Sequence, residues 1–280
     1  MMLLALADLE HGVLDPAAPA LHADDEGVLR GRSVFETLRV YGGTPFKLDA
    51  HLERLGASAK RLRLPEPPYR ELTDTALAAL RAGGQSDVTL RLLWTAGREG
   101  GGAPLGLALV STLPPDLEGL RARGLKLAVV RWSAGALAGA KSTSYAENIF
   151  AQHEAAEAGA DDALLVASDD TILEAPTSNV WFREGTRLLT PSLELPVLAG
   201  VTRATLCELA PELGYEAEEG AFPLERLLQS DEVFLTSSVR EVAPVVAVNG
   251  RAVGGGSPGP ASAALQLGLR AAAGYPASDE

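Results

Sequence analysis

The chain has one cysteine, Cys207, which excludes an internal disulfide and any cysteine-built metal site. Its neighbours Leu206 and Leu209 predict a thiol packed in a core rather than a nucleophile. Only four histidines occur, none paired at metal-ligand spacing on a helix, which argues against a structural or catalytic metal. Basic residues are also short: 24 Lys and Arg stand against 37 Asp and Glu, a formal charge of −13. Nucleic acid is held mainly by surplus Lys and Arg, so it is excluded as a partner, and any anionic ligand needs a local positive site. Long apolar runs are missing too. The opening MMLLALADLEHG reaches Asp8 too early for a membrane span and has no basic n-region, so it reads as a first strand, with the cytoplasm as the expected compartment.

What is present is an ordinary globular composition, 46% hydrophobic and 22% charged, with no internal repeat. The 280 residues suffice for one large domain or two modest ones. The prolines of STLPPDLEGL break the periodicity and favour two: a small N-terminal α/β domain over 1–112, a linker at 113–121, and a larger domain over 122–280. In the first, VFETLRVYGG at 34–43 predicts a strand ending in a Gly42-Gly43 turn, and runs at 88–94 and 105–111 predict two more around the glycine-rich GREGGG. One helix is expected there, HLERLGASAKRLRL with Asp49 as its N-cap. Leu52, Leu55, Ala59 and Leu62 form its buried face, and His51, Arg54 and Ser58 a polar strip alongside.

In the second domain GLKLAVVRW predicts a strand and YAENIFAQHEAAEAG a helix closed by Gly159. Two strands at 162–168 and 171–176, joined at Asp169-Asp170, continue through SNVWF and RLLTP in an antiparallel pattern. A helix opens at Gly200-Val201-Thr202 and closes at Gly214. The strand DEVFLT, a polar loop at Thr236-Ser237-Ser238, the strand VAPVVAV, an Asn249-Gly250 turn and a last helix over 264–273 complete the chain.

Four features can carry chemistry. Lys141 stands among small residues, AGALAGAKSTSY, with no carboxylate a few positions away; that leaves room for a bulky planar ligand and suits a nucleophilic amine as well as an ordinary surface lysine. Glu174 interrupts an apolar strand, where a carboxylate needs either a partner or an exposed hairpin face. Gly200-Val201-Thr202 offers N–H groups, a hydroxyl and the positive end of a helix, a combination that suits a phosphate group and also begins many helices that bind nothing. The 236–238 loop supplies further donors as a backbone nest, or is a plain polar turn. Arg54 would bring the formal charge.

Several ordered blocks together resemble one family, the class IV aminotransferases or fold-type IV pyridoxal phosphate enzymes, over nearly the whole chain. They are GRSVFETLRVYGGTPFKLDAHLERLGASAKRL at 31–62, KSTSYAENIFAQHEAAEAGADDALLV at 141–166, ILEAPTSNVWF at 172–182, LAGVTRATLCELA at 198–210 and DEVFLTSSVREVAPV at 231–245. The resemblance implies an α/β chain of the α+β kind, whose larger domain has a mainly antiparallel or barrel-like core. It further implies a small-molecule amino substrate and an active site between the two domains at the interface of a homodimer.

Residue by residue, Lys141 matches the lysine that carries pyridoxal 5′-phosphate as a Schiff base and serves as general acid and base. Glu174 matches the partner of the pyridine nitrogen, Arg54 a phosphate ligand, and Tyr145 a contact of the ring hydroxyl. Val201 and Thr202 match the phosphate cup, with Ser238 where many relatives have threonine. Ser144 departs from the asparagine common at its place.

Within the family, Thr37 in FETLRV and the loop TSSVRE at 236–241 resemble the lyase branch, which eliminates pyruvate from 4-amino-4-deoxychorismate to leave 4-aminobenzoate for folate synthesis. There the threonine is implied to assist proton transfer; by itself it is also an ordinary β-branched strand residue. Arg91, Arg98, Arg240 and Ser237 are the candidates for holding the substrate. The Arg-x-His trap of D-amino-acid aminotransferases is missing after 88–94. Transaminases of branched-chain L-amino acids or of D-amino acids remain the alternative, and an inactive binding relative the remote one.

Overall fold

Val34, Leu38 and Val40 alternate with Phe35, Thr37 and Arg39, and this period of two puts one set against helices and the other on the opposite face of a sheet. The structure, a computed structural model, describes residues 1–275 and divides into two units, Met1–Pro115 with Ala140–Tyr145, and Asp116–Gly139 with the chain from Ala146 onward. The division after Pro115 falls inside the proline-broken stretch.

The first unit runs β1 (Leu3–Asp8), β2 (Gly12–Leu14), α1 (Glu26–Leu29), β3 (Ser33–Tyr41), β4 (Thr44–Pro45), α2 (Leu48–Arg61), α3 (Tyr69–Gly83), β5 (Val88–Thr95) and β6 (Gly106–Thr112). Its strands form one antiparallel sheet in the order β2-β1-β6-β5-β3-β4. Val34, Leu38, Leu90, Leu92 and Val110 pack against Leu52, Leu55 and Ala59 of α2 and Leu72, Ala76 and Ala79 of α3. Each fully buried leucine contributes roughly 2 kcal/mol, so the two helices hold the sheet from one side. The segment carrying Lys141 lies along the start of β3: Ser142 bridges Val34, and the Phe35 N–H donates to the Lys141 carbonyl at 3.0 Å.

Two expectations are corrected here. The unit holds a second long helix, α3, whose apolar face was readable; the prolines at 65, 67 and 68 immediately before it obscured its start. Asp49 is not the N-cap of α2: that residue is Lys47, in a left-handed conformation with φ 50° and no side-chain cap, while Asp49 lies within the first turn. Its charge there complements the positive helix end.

The second unit comprises α4 (Leu117–Arg123), β7 (Leu125–Arg131), α5 (Ala146–Glu157), β8 (Asp162–Val166), β9 (Asn179–Glu184), β10 (Arg187–Pro191), α6 (Val201–Leu209), β11 (Glu216–Gly220), α7 (Leu224–Leu228), β12 (Glu232–Ser237), β13 (Glu241–Val248), β14 (Arg251–Ala252) and α8 (Pro260–Ala272). The sheet order is β11-β10-β9-β12-β13-β7-β8, with β14 on β13. Its middle, β10-β9-β12-β13, is antiparallel, and parallel pairs flank it at β10-β11, β13-β7 and β7-β8. Leu127, Leu164, Phe182, Val233, Leu235 and Val245 fill the core on one face.

Residues 171–176 are not a strand. They touch their surroundings through isolated bridges, Val166 with Ile172, Thr171 with Pro223 and Ala175 with Ser178, because turns on both sides leave no room for a ladder. Glu174 therefore sits on irregular backbone, pinned at both ends.

Candidate active site

In the first unit Lys141 is fixed through its backbone. Its N–H donates to Ser58 Oγ at 3.0 Å, its carbonyl accepts from Phe35, and its Nζ lies 4.5 Å from the centroid of the Phe35 ring. A cation over an aromatic face is attracted by the ring quadrupole, which aims the amine. Tyr145 meets the same ring edge-on, with centroids 5.7 Å apart, and the Arg91 guanidinium lies 5.6 Å from it. Phe35 thus gathers the lysine, the tyrosine and an arginine. Ser144, the departure from asparagine, donates through Oγ to the Gly31 carbonyl at 3.1 Å.

The polar strip of α2 is itself buried: His51 is 1% exposed and Ser58 2%. Its partner is Glu36, on the helix-facing side of β3 and 0% exposed. Arg54 grips this carboxylate in fork geometry, Nε to Oε1 at 2.8 Å and Nη2 to Oε2 at 2.6 Å, and His51 Nδ1 meets Oε2 at 2.7 Å. Burial alone would push the Glu36 carboxyl up, but the hydrogen bonds and charge of Arg54 and His51 outweigh it and bring it down to about 2. Burial pushes His51 down, and the nearby positive charges of Arg54 and Lys141 act the same way, against the pull of Glu36.

On the other face of the same sheet, Thr37 lies directly across from Arg91 in the β3–β5 register. Arg39 shares that face two residues further on, buried and 5.0 Å over the Tyr41 ring. A hydroxyl and two guanidinium groups therefore line one side of the sheet whose edge carries Lys141.

In the second unit one amide organises the predicted residues. Asn179 Nδ2 donates to Glu174 Oε2 at 3.1 Å and to the Leu198 carbonyl at 2.9 Å, and the Leu198 N–H donates to the same Glu174 oxygen at 3.0 Å. Gly200 is the N-cap of α6 and has no side-chain cap; a Cβ there would overlap Asn179 Oδ1. Val201 and the buried Thr202 form the first turn. Across the sheet Asn179 pairs with Thr236, whose hydroxyl accepts from Trp181 Nε1 at 3.1 Å. Ser237 and Ser238 follow at the strand end, where Ser237 Oγ accepts from the Arg240 N–H at 3.2 Å. Glu174, the start of α6 and the strand end at 236–238 are thus neighbours within one unit.

The remaining candidates have other partners. Arg98 is exposed and pairs with Asp24 at 2.8 Å, on the glycine-rich loop. Arg240 is tied to the buried Asp162 at 2.5 Å. Cys207 is half-buried, and burial pushes its thiol up, away from nucleophilic use. Sequence reasoning missed Phe35, Glu36 and Asn179. Glu36 carried a signal of the kind that singled out Glu174, a carboxylate at a core position of an apolar strand; Asn179 carried none.

The family described as amino-transferase class IV matches residues 33–248. A bifunctional aminodeoxychorismate lyase / D-amino acid transaminase of Mycobacterium tuberculosis is 35% identical over 262 residues, covering 87% of this chain and 91% of the relative. An aminodeoxychorismate lyase of Bacillus subtilis is 34% identical over 254 residues, covering 87% of this chain and 86% of its own. Among solved structures, a hypothetical aminotransferase from Mycobacterium tuberculosis in its PLP-bound form superposes with a TM-score of 0.88 at 33% identity, over 96% of this chain and 98% of that one. With that match the two-sheet architecture becomes the fold-type IV fold: this chain belongs to the class IV aminotransferase family.

Proposed function

We propose that the chain is a pyridoxal 5′-phosphate enzyme that eliminates pyruvate from 4-amino-4-deoxychorismate to leave 4-aminobenzoate. The residues fit the cofactor. Lys141 offers an amine aimed by an aromatic ring, Glu174 a carboxylate held by two N–H donors, and α6 a start without a side-chain cap. Beside Asn179, the buried Ser178 Oγ has no hydrogen-bond partner among the described residues, the state in which a buried hydroxyl awaits a ligand. The resemblance to the class IV family assigns the group to Lys141, Arg54, Tyr145, Glu174, Val201, Thr202 and Ser238, which are the residues that would hold it.

When bound, pyridoxal phosphate supplies a carbonyl for the substrate amine and a protonated ring that accepts an electron pair. The Glu174 carboxylate would accept the ring N–H and keep that proton in place. Lys141 Nζ takes the proton from the amine-bearing carbon as general base. Loss of that proton would expel the enolpyruvyl oxygen, and the Thr37 hydroxyl would relay the proton held by Lys141 to the departing methylene carbon, which becomes the methyl of pyruvate.

The observation that carries the lyase reading is Thr37 across from Arg91, with Arg39 on the same face. The substrate has two carboxylates, and two guanidinium groups flanking a hydroxyl suit it better than a monocarboxylic amino acid. A second reading, transamination of a D-amino acid or a branched-chain L-amino acid, is favoured by the bifunctional name of the M. tuberculosis relative and uses the same cofactor residues.

The test is a paired assay on the wild type and Lys141→Ala: the visible absorbance of lysine-linked cofactor, then 4-aminobenzoate and pyruvate release beside transamination of D-alanine and leucine. Lysine-dependent 4-aminobenzoate release supports the lyase; keto-acid formation alone moves the chain to the transaminases; no lysine-dependent chromophore refutes the cofactor assignment. The homodimer and the cytoplasm belong to the same reading and are tested by sedimentation and by cell fractionation.

A further inference from the structure

The buried Glu36 has no place in the chemistry above, yet it meets two functional features of α2 at once. Both of its oxygens are used, Oε1 by Arg54 Nε and Oε2 by Arg54 Nη2 and His51 Nδ1. The three groups form a cluster in which one carboxylate faces one guanidinium and offsets its charge. If Arg54 acted on a phosphate through charge alone, such a partner would be counterproductive, since it removes the field the anion is drawn to. A two-pronged grip makes sense instead as a geometric device, because it fixes the plane of the guanidinium and sets where its outer N–H groups point. The same helix strip then holds the Lys141 backbone through Ser58, so the amine and the guanidinium are indexed to one rigid surface.

We infer that Glu36 is the positioning residue of the phosphate site, turning Arg54 into a preset phosphate clamp at the cost of its net charge. The inference rests on the reading of Arg54 as a phosphate ligand, and it makes a prediction about sign. Glu36→Gln makes the cluster more positive by one charge and keeps its volume. Electrostatics alone would tighten phosphate binding; loss of the fork loosens it.

The experiment is a spectral titration of the apoenzyme with pyridoxal 5′-phosphate and with pyridoxal, which lacks the phosphate, in the wild type, Glu36→Gln, Glu36→Asp and Arg54→Ala. The ratio of the two dissociation constants isolates the phosphate contribution from the lysine linkage. That ratio is expected to fall about tenfold or more in Glu36→Gln, as for loss of a charge-assisted bidentate contact. It is expected to fall also in Glu36→Asp, which keeps the charge and shortens the arm, so the geometry is read even if the glutamine variant does not fold. Affinity for pyridoxal is expected to stay within about twofold, which a general loss of structure would not allow.

An unchanged or larger ratio in both Glu36 variants, with the wild type and Arg54→Ala differing as expected, overturns the inference alone. A wild type without preference for the phosphorylated form, or an Arg54→Ala variant that keeps it, overturns the reading of Arg54 and the inference with it.

Discussion

The joint between Glu174 and the start of α6 can be tested by a double-mutant cycle at Asn179 and Gly200. Asn179 is 6% exposed and its amide makes two hydrogen bonds, one to the Glu174 carboxylate and one to the Leu198 carbonyl. Asn179→Ala forfeits a bond to a charged acceptor, worth about 1.5–3 kcal/mol, and a neutral one worth about 1 kcal/mol, so a loss of roughly 2.5–4 kcal/mol is expected. Gly200 has φ −67° and ψ 130°, which alanine adopts without strain, but its Cβ would overlap Asn179 Oδ1 and lie 3.1 Å from Arg203 Cβ. In the wild type, Gly200→Ala should therefore cost roughly 1–3 kcal/mol through overpacking. With Asn179 already alanine the main obstacle is gone, and the same change should be close to neutral, because the restricted unfolded chain offsets the residual contact with Arg203. The double variant is then less damaged than the sum of the singles by about 1–3 kcal/mol. Urea unfolding of the four apoproteins at neutral pH measures this directly. Additive costs within about 0.5 kcal/mol would mean that Asn179 does not set the position of the helix start.

Three further outcomes follow from the same geometry. The Glu36 carboxyl is held down at about 2 against an ordinary 4.5, so it contributes stability that is complete above pH 4.5 and is lost as pH falls toward 2, about 3 kcal/mol in all. Unfolding series from pH 7 to 2 should show this loss in the wild type and not in Glu36→Gln; equal acid sensitivity would refute it. His51, pushed down by burial, adds to the loss as pH falls below 6.5. Arg98→Ala, which removes an exposed ion pair, should leave stability and KM unaltered, whereas Arg91→Ala should raise KM for a dicarboxylic substrate at least tenfold. A reversal of that order in steady-state assays would move the carboxylate site to the glycine-rich loop. Cys207, half-buried with its thiol pushed up, should react with a thiol reagent well below the rate of free cysteine at pH 7 and much faster in urea; rapid labelling of the native protein would contradict its packing.

What was legible in the sequence was local. Alternation in VFETLRVY and the Gly42-Gly43 pair gave β3 and its turn, and the spacing of Leu52, Leu55 and Ala59 gave the buried face of α2. Lys141 and Arg54 stood out as candidates through the blocks they share with the class IV family rather than through any local pattern. The relations that turn these residues into a site were not local, and no periodicity encodes them. Glu36 and Arg54 are 18 positions apart, Glu174 and the Leu198 N–H 24 apart, and only the folded chain brings each pair within hydrogen-bond reach. Arg91 and Arg98 read alike in the sequence and differ in what lies beside them, a phenyl ring for one and Asp24 for the other.

The one long-range relation that could have been read early is the carboxylate inside the apolar run. An ionised group at a core position costs several kcal/mol unless a cation meets it, so Glu36 requires a buried partner, and the partner must come from the element that covers that face. The covering element is α2, whose polar strip offers His51 and Arg54 one turn apart, the spacing that lets two side chains converge on one acceptor. The demand of the strand and the supply of the helix thus determine each other. A charge that breaks a hydrophobic pattern is for this reason a stronger pointer to tertiary structure than the pattern it breaks.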